Sequence, residues 1–509
     1  MSKRHGRFSS STRWVALAFA LLVSTWSGAV PRTEPTYWFL TEAEIQAARG
    51  GVTEPSRGLA VFTSGSLVQP LVDGEEMMRA LRDDVAATRN GDFIHFTAWR
   101  MDRRVDLVPT AEAASANAVA DLWTSAIERG VVTRTLLWDA PWSPWTRRDR
   151  GQNCRTRRLL HEAGGHAVLD GRVPRLGAHH QKTAIIQRDG EAVAYCGGID
   201  LAKDRWDTRQ HDSDPRRVRG LWHGWHDVHV RLRGPAVLDI ERNFRQRWND
   251  RKWPRKAARK RPPIAAPLPP VAADPGTHHV QVLRTYPRKD GRYPGFAPRG
   301  EFACLDAYCK AIGLAESYIY IEDRLLVFDK IARELAAALD RIQKLVIVVP
   351  HHGRDPLGAF NWHQNRFIQI LRAAHPDKVH VYHLAQPATG RHIYVHAKVM
   401  IVDDIYAVIG SQNISRRSMT HDTELAVAVV DAEVENGACR FARDLRLNLW
   451  GEHLLLPTTD PRIADPIAGV AEWERQAAAG TYRVRRHTAA RPQHEWACLW
   501  RHLLDPSGR

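Results

Sequence analysis

Short apolar runs and longer amphipathic segments alternate along most of the chain. Four apolar runs have the length and the β-branched or aromatic composition of buried strands: 92–99, 131–142, 317–324 and 344–352. The segments at 74–91 and 301–317 carry apolar residues at helical spacing, and each precedes one of these runs. Strands that alternate with helices of this length predict an α/β fold.

The segment 251–276 shows neither a helical nor a strand period. Its sequence, RKWPRKAARKRPPIAAPLPPVAADPG, is rich in proline, alanine and basic residues, which is typical of a linker. The two halves on either side of it have similar patterns. We therefore expect five segments: an export signal or anchor at 1–30, a first unit at 55–250, the linker at 251–276, a second unit at 277–456 and a C-terminal extension at 457–509.

One sequence pattern occurs in both halves. The first copy is AHHQKTAIIQRDGEAVAYCGGIDLAKDRW and the second is YVHAKVMIVDDIYAVIGSQNISRRSM. Aligning them places His180 on His396 and Lys182 on Lys398. Each copy thus has a histidine and a lysine two residues apart, two apolar strands and a turn that contains glycine. A single His-x-Lys is common on ordinary strands, but two copies with matching flanks predict a shared chemical role.

The paired pattern resembles the signature of the phospholipase D superfamily, in which His-x-Lys precedes an aspartate, a Gly-Gly or Gly-Ser turn and an asparagine. The second copy contains the whole signature: His396, Lys398, Asp403, Gly410, Ser411 and Asn413. The first copy differs, because Gln187 and Asp200 stand where the aspartate and the asparagine are usual. Similar flanking segments at 225–248, 317–324 and 445–454 extend the resemblance over most of both halves.

The resemblance implies a fold as well as a chemistry. It indicates an α/β protein of two similar α-β-α sandwich units, an internal duplication related by a pseudo-two-fold axis, with the active site between the units. The protein should then be a monomer whose halves form one site, with no cofactor and no metal. The implied catalytic residues are His180, Lys182, His396, Lys398, Asp403, Asn413, Glu424 and Asp227. Among these, the resemblance makes Asp403 largely a structural anchor.

The residue types suit attack on a phosphodiester without a metal. Negative charge accumulates on the nonbridging oxygens during the attack, and fixed cations and donors must stabilise it. Lys182 and Lys398 supply point charges, and Asn413 can donate from its amide. Ser411 lies in a glycine-containing turn whose backbone N–H groups could approach a phosphate. We therefore expect these four residues to bind the substrate phosphate.

The two histidines can divide the catalytic work. The resemblance makes His180 the nucleophile that forms a phosphohistidine, and His396 the acid that protonates the leaving alcohol and then activates water. Each imidazole needs a partner that fixes its tautomer. From the sequence we expect Glu424 to pair with His396, and Asp227 or His229 to pair with His180.

The charge of the chain indicates an anionic partner. The formal net charge is +16 and the pI is about 9.8, a balance that attracts anionic lipid surfaces and nucleic acids. The resemblance favours a phospholipid at a membrane surface over a nucleic acid, and a phospholipase D reaction with transfer to alcohols as a variant. Three alternatives stay open: a cardiolipin-synthase-like transferase, a metal-independent nuclease and a catalytically decayed protein that binds lipid or polyanions.

The remaining features bear on location and metal binding. Basic residues followed by an apolar run and a small-residue pattern at 1–30 predict export to the periplasm or exterior, or an N-terminal membrane anchor. The six cysteines show no CxxC spacing, and their pairing cannot be assigned from sequence. His351 and His352 follow a predicted strand, and we interpret them as a loop pair rather than as metal ligands.

Overall fold

A computed structural model describes residues 30–52, 58–109, 117–140, 146–212, 224–250, 252–253, 261–269, 276–351 and 359–488. Apart from Val30, the predicted export segment lies outside these ranges, as do His352 and Cys498. Within them, no helix combines the length and the apolar character that crossing a bilayer requires.

The strands of the described ranges are numbered in chain order. They are β1 Thr63–Val72, β2 Phe93–Ala98, β3 Val132–Trp138, β4 His166–Asp170, β5 Thr183–Arg188, β6 Glu191–Gly197, β7 Trp225–His226, β8 Val228–Arg233, β9 His278–Tyr286, β10 Glu301–Phe302, β11 Tyr318–Asp323, β12 Lys344–Val348, β13 Val379–Ala385, β14 His392–Val395, β15 Lys398–Val402, β16 Tyr406–Gly410, β17 Glu424–Asp431, β18 Val434–Glu435, β19 Ala438–Cys439 and β20 Val484–Arg486.

The helices are numbered in the same way. They are α1 Pro35–Trp38, α2 Glu42–Ala48, α3 Asp73–Ala86, α4 Val119–Glu128, α5 Arg147–Glu162, α6 Ala236–Asn249, α7 Ala303–Leu314, α8 Asp329–Ala338, α9 Ala359–Ala374, α10 Arg416–Thr420, α11 Arg440–Leu454 and α12 Val470–Ala479. Within the described ranges, 3₁₀ turns lie at Lys203–Arg205, Lys289–Gly291, Pro376–Lys378 and Pro461–Ile463.

The first half is built on a mixed sheet. Its strand order is β1-β8-β6-β5-β2-β3-β4, in which β2, β3 and β4 are parallel and the other neighbours are antiparallel. Helices α3 and α4 bury one face of the sheet, and α6 packs on the other. Because both faces are covered, the central strands β2, β5 and β6 are buried over most of their length.

The second half repeats this arrangement. Its sheet runs β9-β17-β16-β15-β11-β12-β13, again with one parallel set, β11 to β13, and antiparallel strands elsewhere. Helices α7 and α8 cover its outer face, and α11 packs on its inner face. The inner faces of both sheets contribute to one apolar core, which includes Ile185 from β5 and Val399 from β15. The predicted fold, two similar α/β units from a duplication, is confirmed.

The two sheets place their His-x-Lys motifs at equivalent positions. Strand β5 begins at Thr183, directly after the first motif, and pairs with β2. Strand β15 begins at Lys398 within the second motif and pairs with β11, where Lys398 lies opposite Asp323. The predicted strands and helices are present in these positions, although α3 and α7 end a few residues before the predicted helical segments do.

Segments outside the two units pack against them. The described part of the predicted linker places Trp253, Ile264 and Leu268 in the shared core. Strand β20 of the C-terminal extension pairs antiparallel with β13, and Val484 is buried there. The five described cysteines, Cys154, Cys196, Cys304, Cys309 and Cys439, are free thiols.

Candidate active site

The two motifs meet because each is bonded to the opposite half. The backbone N–H of His180 donates to Thr423 O at 3.0 Å, and His179 forms a β-bridge with Thr423. In the second half, the N–H of His396 donates to His226 O at 2.7 Å, in continuation of the parallel pairing of β14 with β7. These contacts fix both histidine backbones across the boundary between the halves.

His180 is oriented by a carboxylate of the second half. Its Nδ1 lies 2.9 and 3.0 Å from the two carboxylate oxygens of Glu424. Glu424 is fully buried at the start of β17, and the Ser411 hydroxyl donates to its Oε2 at 2.5 Å. The side chain of His180 is 13% exposed, so the edge of its ring reaches the solvent.

His396 is oriented by a carboxylate of the first half. Its Nδ1 lies 2.6 Å from Asp227 Oδ2, and Asp227 is completely buried. The indole of Trp225 packs against the imidazole, with 4.7 Å between ring centroids. With Nδ1 engaged in this way, Nε2 is the nitrogen of each histidine left for the reaction.

These contacts correct the predicted pairing. Sequence proximity within each half suggested Glu424 for His396, and Asp227 or His229 for His180, but the structure exchanges the two carboxylates. The reason is the crossed backbone bonding, which brings the end of each motif beside a strand of the other half. His229 instead lies behind the first glycine turn, where its Nδ1 accepts from Ile199 N–H at 3.3 Å.

Each lysine lies beside the histidine of its own motif. Lys182 Nζ donates to His180 O at 2.7 Å, and Lys398 Nζ lies 2.9 Å from His396 Nδ1. Lys398 lowers the pKa of His180, and Lys182 lowers that of His396, so each charge acts on the histidine of the opposite half. Both lysines are buried, and both belong to one site.

Burial sets the protonation of the site. Desolvation holds the pKa of both His180 and His396 well below the ordinary value, and the neighbouring lysines lower it further. Burial raises the pKa of Glu424 and raises that of Asp227 to about 6. It lowers the pKa of Lys398 to about 7. The imidazole of His180 is therefore uncharged at neutral pH, as a nucleophile requires.

The glycine turns have a different role from the predicted one. The N–H groups of Gly198 and Ser411 donate to Val228 O and Leu425 O, both at 3.0 Å, so the sheets already use them. A Cβ on Gly198 would come within 2.0 Å of Asp227 Oδ1. The glycine thus makes room for Asp227, and Ser411, predicted to bind phosphate, instead holds Glu424.

Asn413 and Asp200 occupy equivalent turns. The Asn413 amide nitrogen lies 3.4 Å from Ser418 Oγ, and its Oδ1 is buried without a hydrogen bond. In the first half, Asp200 accepts from Arg100 N–H at 3.0 Å and lies 3.4 Å from Lys182 Nζ. The replacement of asparagine by aspartate therefore adds an ion pair beside the first histidine.

Asp403 lies away from the histidines. It follows β15, at the opposite end of that strand from His396, and its carboxylate accepts from the N–H groups of Glu316, Ser317 and Tyr318 at 2.7 to 2.9 Å. It anchors the start of β11 and contributes nothing directly to the reacting centre. This is the anchor role that the resemblance implies, and it sets Asp403 apart from the other residues of the predicted catalytic group.

The sequence interpretation missed several charged residues around the site. Arg205 and Arg324 both lower the pKa of His396. The guanidinium of Arg205 lies 3.4 Å from the centroid of the Trp225 ring, and Arg324 Nε donates to Tyr394 OH at 2.7 Å. Arg324 is the last residue of the predicted strand 317–324 and directly follows two acidic residues, a signal that sequence reasoning could have used.

Comparison with known proteins agrees with this arrangement. A family model described as "Phospholipase D" matches residues 86–329, and one described as "Cardiolipin synthase, PLD-like domain" matches residues 308–445. Phospholipase D alpha 4 of Arabidopsis thaliana is 26% identical, with 71% of this chain and 61% of that protein aligned. Phospholipase D A of Dictyostelium discoideum is 29% identical over 56% of this chain and 28% of its own length.

A solved structure has the same fold. Phosphatidylserine synthase of Haemophilus influenzae Rd KW20 superposes with a TM-score of 0.53 at 13% identity, and the match covers 87% of this chain and 94% of that one. The chain spans 61% or less of the length of the Arabidopsis and Dictyostelium relatives named above.

Proposed function

Since the chain belongs to the phospholipase D superfamily, we propose that it cleaves the headgroup phosphodiester of glycerophospholipids and releases phosphatidic acid. The observation that carries the proposal is the crossed pair of contacts between histidine and carboxylate, at 2.9 Å for His180 and 2.6 Å for His396. Two imidazoles, each with Nδ1 held by a buried carboxylate and Nε2 left for the reaction, suit a reaction that needs a nucleophile and an acid.

In the first step, Nε2 of His180 attacks phosphorus, and the bond between phosphorus and the headgroup oxygen breaks. The leaving oxygen takes a proton from Nε2 of His396, which enters this step as an imidazolium stabilised by Asp227 and by the negative charge of the bound phosphate. Lys182 and Lys398 stabilise the negative charge on the nonbridging oxygens. The product is a phosphohistidine and a free alcohol. The assignment of His180 as nucleophile is supported by the resemblance and by its greater exposure, 13% against 4% for the His396 side chain.

In the second step, His396 removes a proton from water, and the oxygen attacks phosphorus. The bond between phosphorus and His180 breaks, which restores the neutral imidazole and releases phosphatidic acid. A primary alcohol in place of water gives a phosphatidyl alcohol by the same movements, which is the transfer reaction of the proposal. The net charge of +16 favours encounter with anionic membranes, so we propose a phospholipid surface as the partner.

The test uses vesicles of mixed phospholipids with ethanol and no added metal, and mass spectrometry of the lipid products. The full chain should form phosphatidic acid and phosphatidylethanol, whereas His180→Ala and His396→Ala should form neither. His375→Ala is a suitable control, because that histidine is 37% exposed and pairs with an exposed aspartate. It should retain activity.

Two other results would replace the proposal. Cleavage of plasmid DNA that depends on both histidines, without lipid products, would make the protein a nuclease. Absence of cleavage in both assays, with binding to anionic vesicles that survives His180→Ala, would make it a binding protein.

A further inference from the structure

A second cluster of ionisable side chains is buried directly behind His396. Asp73, His211 and His226 of the first half meet Glu452 of the second half, and none of the four is more than 3% exposed. Each offers one nitrogen or oxygen, and these four atoms lie within 4.8 Å of one another. The catalytic steps above use none of them.

The geometry points to a metal site, and we propose that these four residues bind one divalent transition metal ion, with zinc the best match. His226 Nδ1 lies 3.1 Å from Asp73 Oδ1 and 3.0 Å from Glu452 Oε1. His211 Nε2 lies 3.1 Å from Glu452 Oε1 and 3.8 Å from Asp73 Oδ2. Around a tetrahedral ion with bonds of about 2.0 Å, neighbouring ligand atoms lie about 3.3 Å apart.

In each of the two imidazoles, the ring nitrogen that faces away from the cluster also supports this assignment. His211 Nδ1 lies 2.9 Å from Asp207 Oδ2, and His226 Nε2 lies 2.8 Å from Glu322 Oε2. Metal-bound histidines almost always donate their second N–H to a carboxylate or carbonyl group in this way. Such a bond places the proton away from the cluster and leaves a lone pair on the nitrogen that faces it.

Hydrogen bonds alone leave several atoms of the cluster without a partner. Asp73 Oδ2, His226 Nδ1 and Glu452 Oε2 are buried and make no hydrogen bond. His226 Nδ1 has two carboxylate oxygens near 3 Å, yet neither lies in line with its ring axis for a hydrogen bond. A cation bonded to His226 Nδ1 would give this nitrogen a partner and would offset the charge of the two carboxylates that converge on it.

Two of the four residues also have unusual backbones. Asp73 has φ 64° and His211 has φ 53°, both in the left-handed region that residues other than glycine seldom adopt. Such conformations persist where surrounding interactions demand them, and they concentrate at binding sites. Here they turn both side chains toward Glu452.

The position of the cluster assigns the ion a structural task. Asp73 N–H donates to Asp227 O at 2.8 Å, and His226 O accepts the N–H of His396. The ion would therefore join the two halves and hold Asp227 against His396, as a positioning centre without contact with substrate. The competing explanation is that two protonated imidazoles supply the same charge of +2 without a metal.

Metal analysis of the full chain, purified without a histidine tag, distinguishes the two explanations. We expect about one zinc per chain, retained during dialysis against EDTA because the site is buried. X-ray absorption should show four nitrogen or oxygen neighbours, two of them imidazoles. Folded, active protein without metal would overturn the proposal, and so would an ion bound by fewer than two imidazoles. This result is independent of whether lipids are the substrate.

Variants locate the ion. Glu452→Gln and His211→Gln should lose the zinc, whereas His392→Ala should keep it. His392 is the matched control, because it belongs to a more exposed group with His351 and His383 that also places three imidazoles together. Loss of metal only in His392→Ala would overturn the assignment. If the Glu452 and His211 variants fail to fold, the stoichiometry and absorption spectrum of the unaltered protein decide.

Discussion

The two His-x-Lys motifs occupy equivalent places in equivalent sheets, but their surroundings differ in charge. In the first half, Lys182 lies 3.4 Å from Asp200. In the second half, Asn413 stands in place of that aspartate, and no carboxylate of the described residues lies within 4.0 Å of Lys398 Nζ. The duplication therefore preserved the backbone geometry while the electrostatics of the two halves diverged. Lys182 therefore has a counter-ion at a fixed position, whereas the charge of Lys398 depends on its buried surroundings.

The largest expected effect concerns the crossed carboxylates. Glu424→Gln and Asp227→Asn should each lower kcat by about 10³-fold, because each leaves a histidine without the partner that sets its tautomer. A substrate with a p-nitrophenol leaving group, which needs little protonation in order to leave, distinguishes the two variants. Asp227→Asn should then accumulate phosphohistidine, because His396 cannot activate water, and Glu424→Gln should not. Trapping by acid quench and mass spectrometry measures this, and the reverse pattern would contradict the crossed assignment.

The second-largest effect concerns Asp403, the motif carboxylate of the second half, whose place in the first half is taken by Gln187. Asp403→Ala removes an acceptor of three backbone N–H groups and should lower the free energy of unfolding by about 3 kcal/mol, at about 1 kcal/mol per bond. Gln187→Ala, its counterpart, should cost less than about 1 kcal/mol, because Asp92, the residue directly before β2, already accepts from Arg89 N–H and Asp189 N–H. Urea titration of both variants tests this, and equal losses would contradict it.

The smallest effect is a pH dependence from the second half alone. Because burial lowers the pKa of Lys398 to about 7, the free enzyme loses this charge as the pH rises through that value. We expect kcat/KM to fall about tenfold per pH unit above it. Lys398→Arg, whose guanidinium stays charged, should have a flatter profile, and a decline that is equally steep in that variant would assign the titration to another group.

Much of the fold was predictable, because buried strands in a doubly covered sheet leave long apolar runs in the sequence. The site was predictable where residues are close in sequence, as with His396 and Lys398. It was not predictable where partners come from opposite halves: the sequence indicates that Asp227 and Glu424 matter, but not which histidine each contacts. Buried polar clusters were missed for the same reason, since Asp73, His211 and Glu452 have no common motif.

The backbone hydrogen bonds from His180 to Thr423 and from His396 to His226 determine when, during synthesis of the chain, the site can form. Each reactive histidine is supplied by one half and completed by the other. A chain whose synthesis has stopped after the first half therefore holds His180 without Glu424, and lacks His396 altogether. The paired site is thus completed only when the second half has folded against the first.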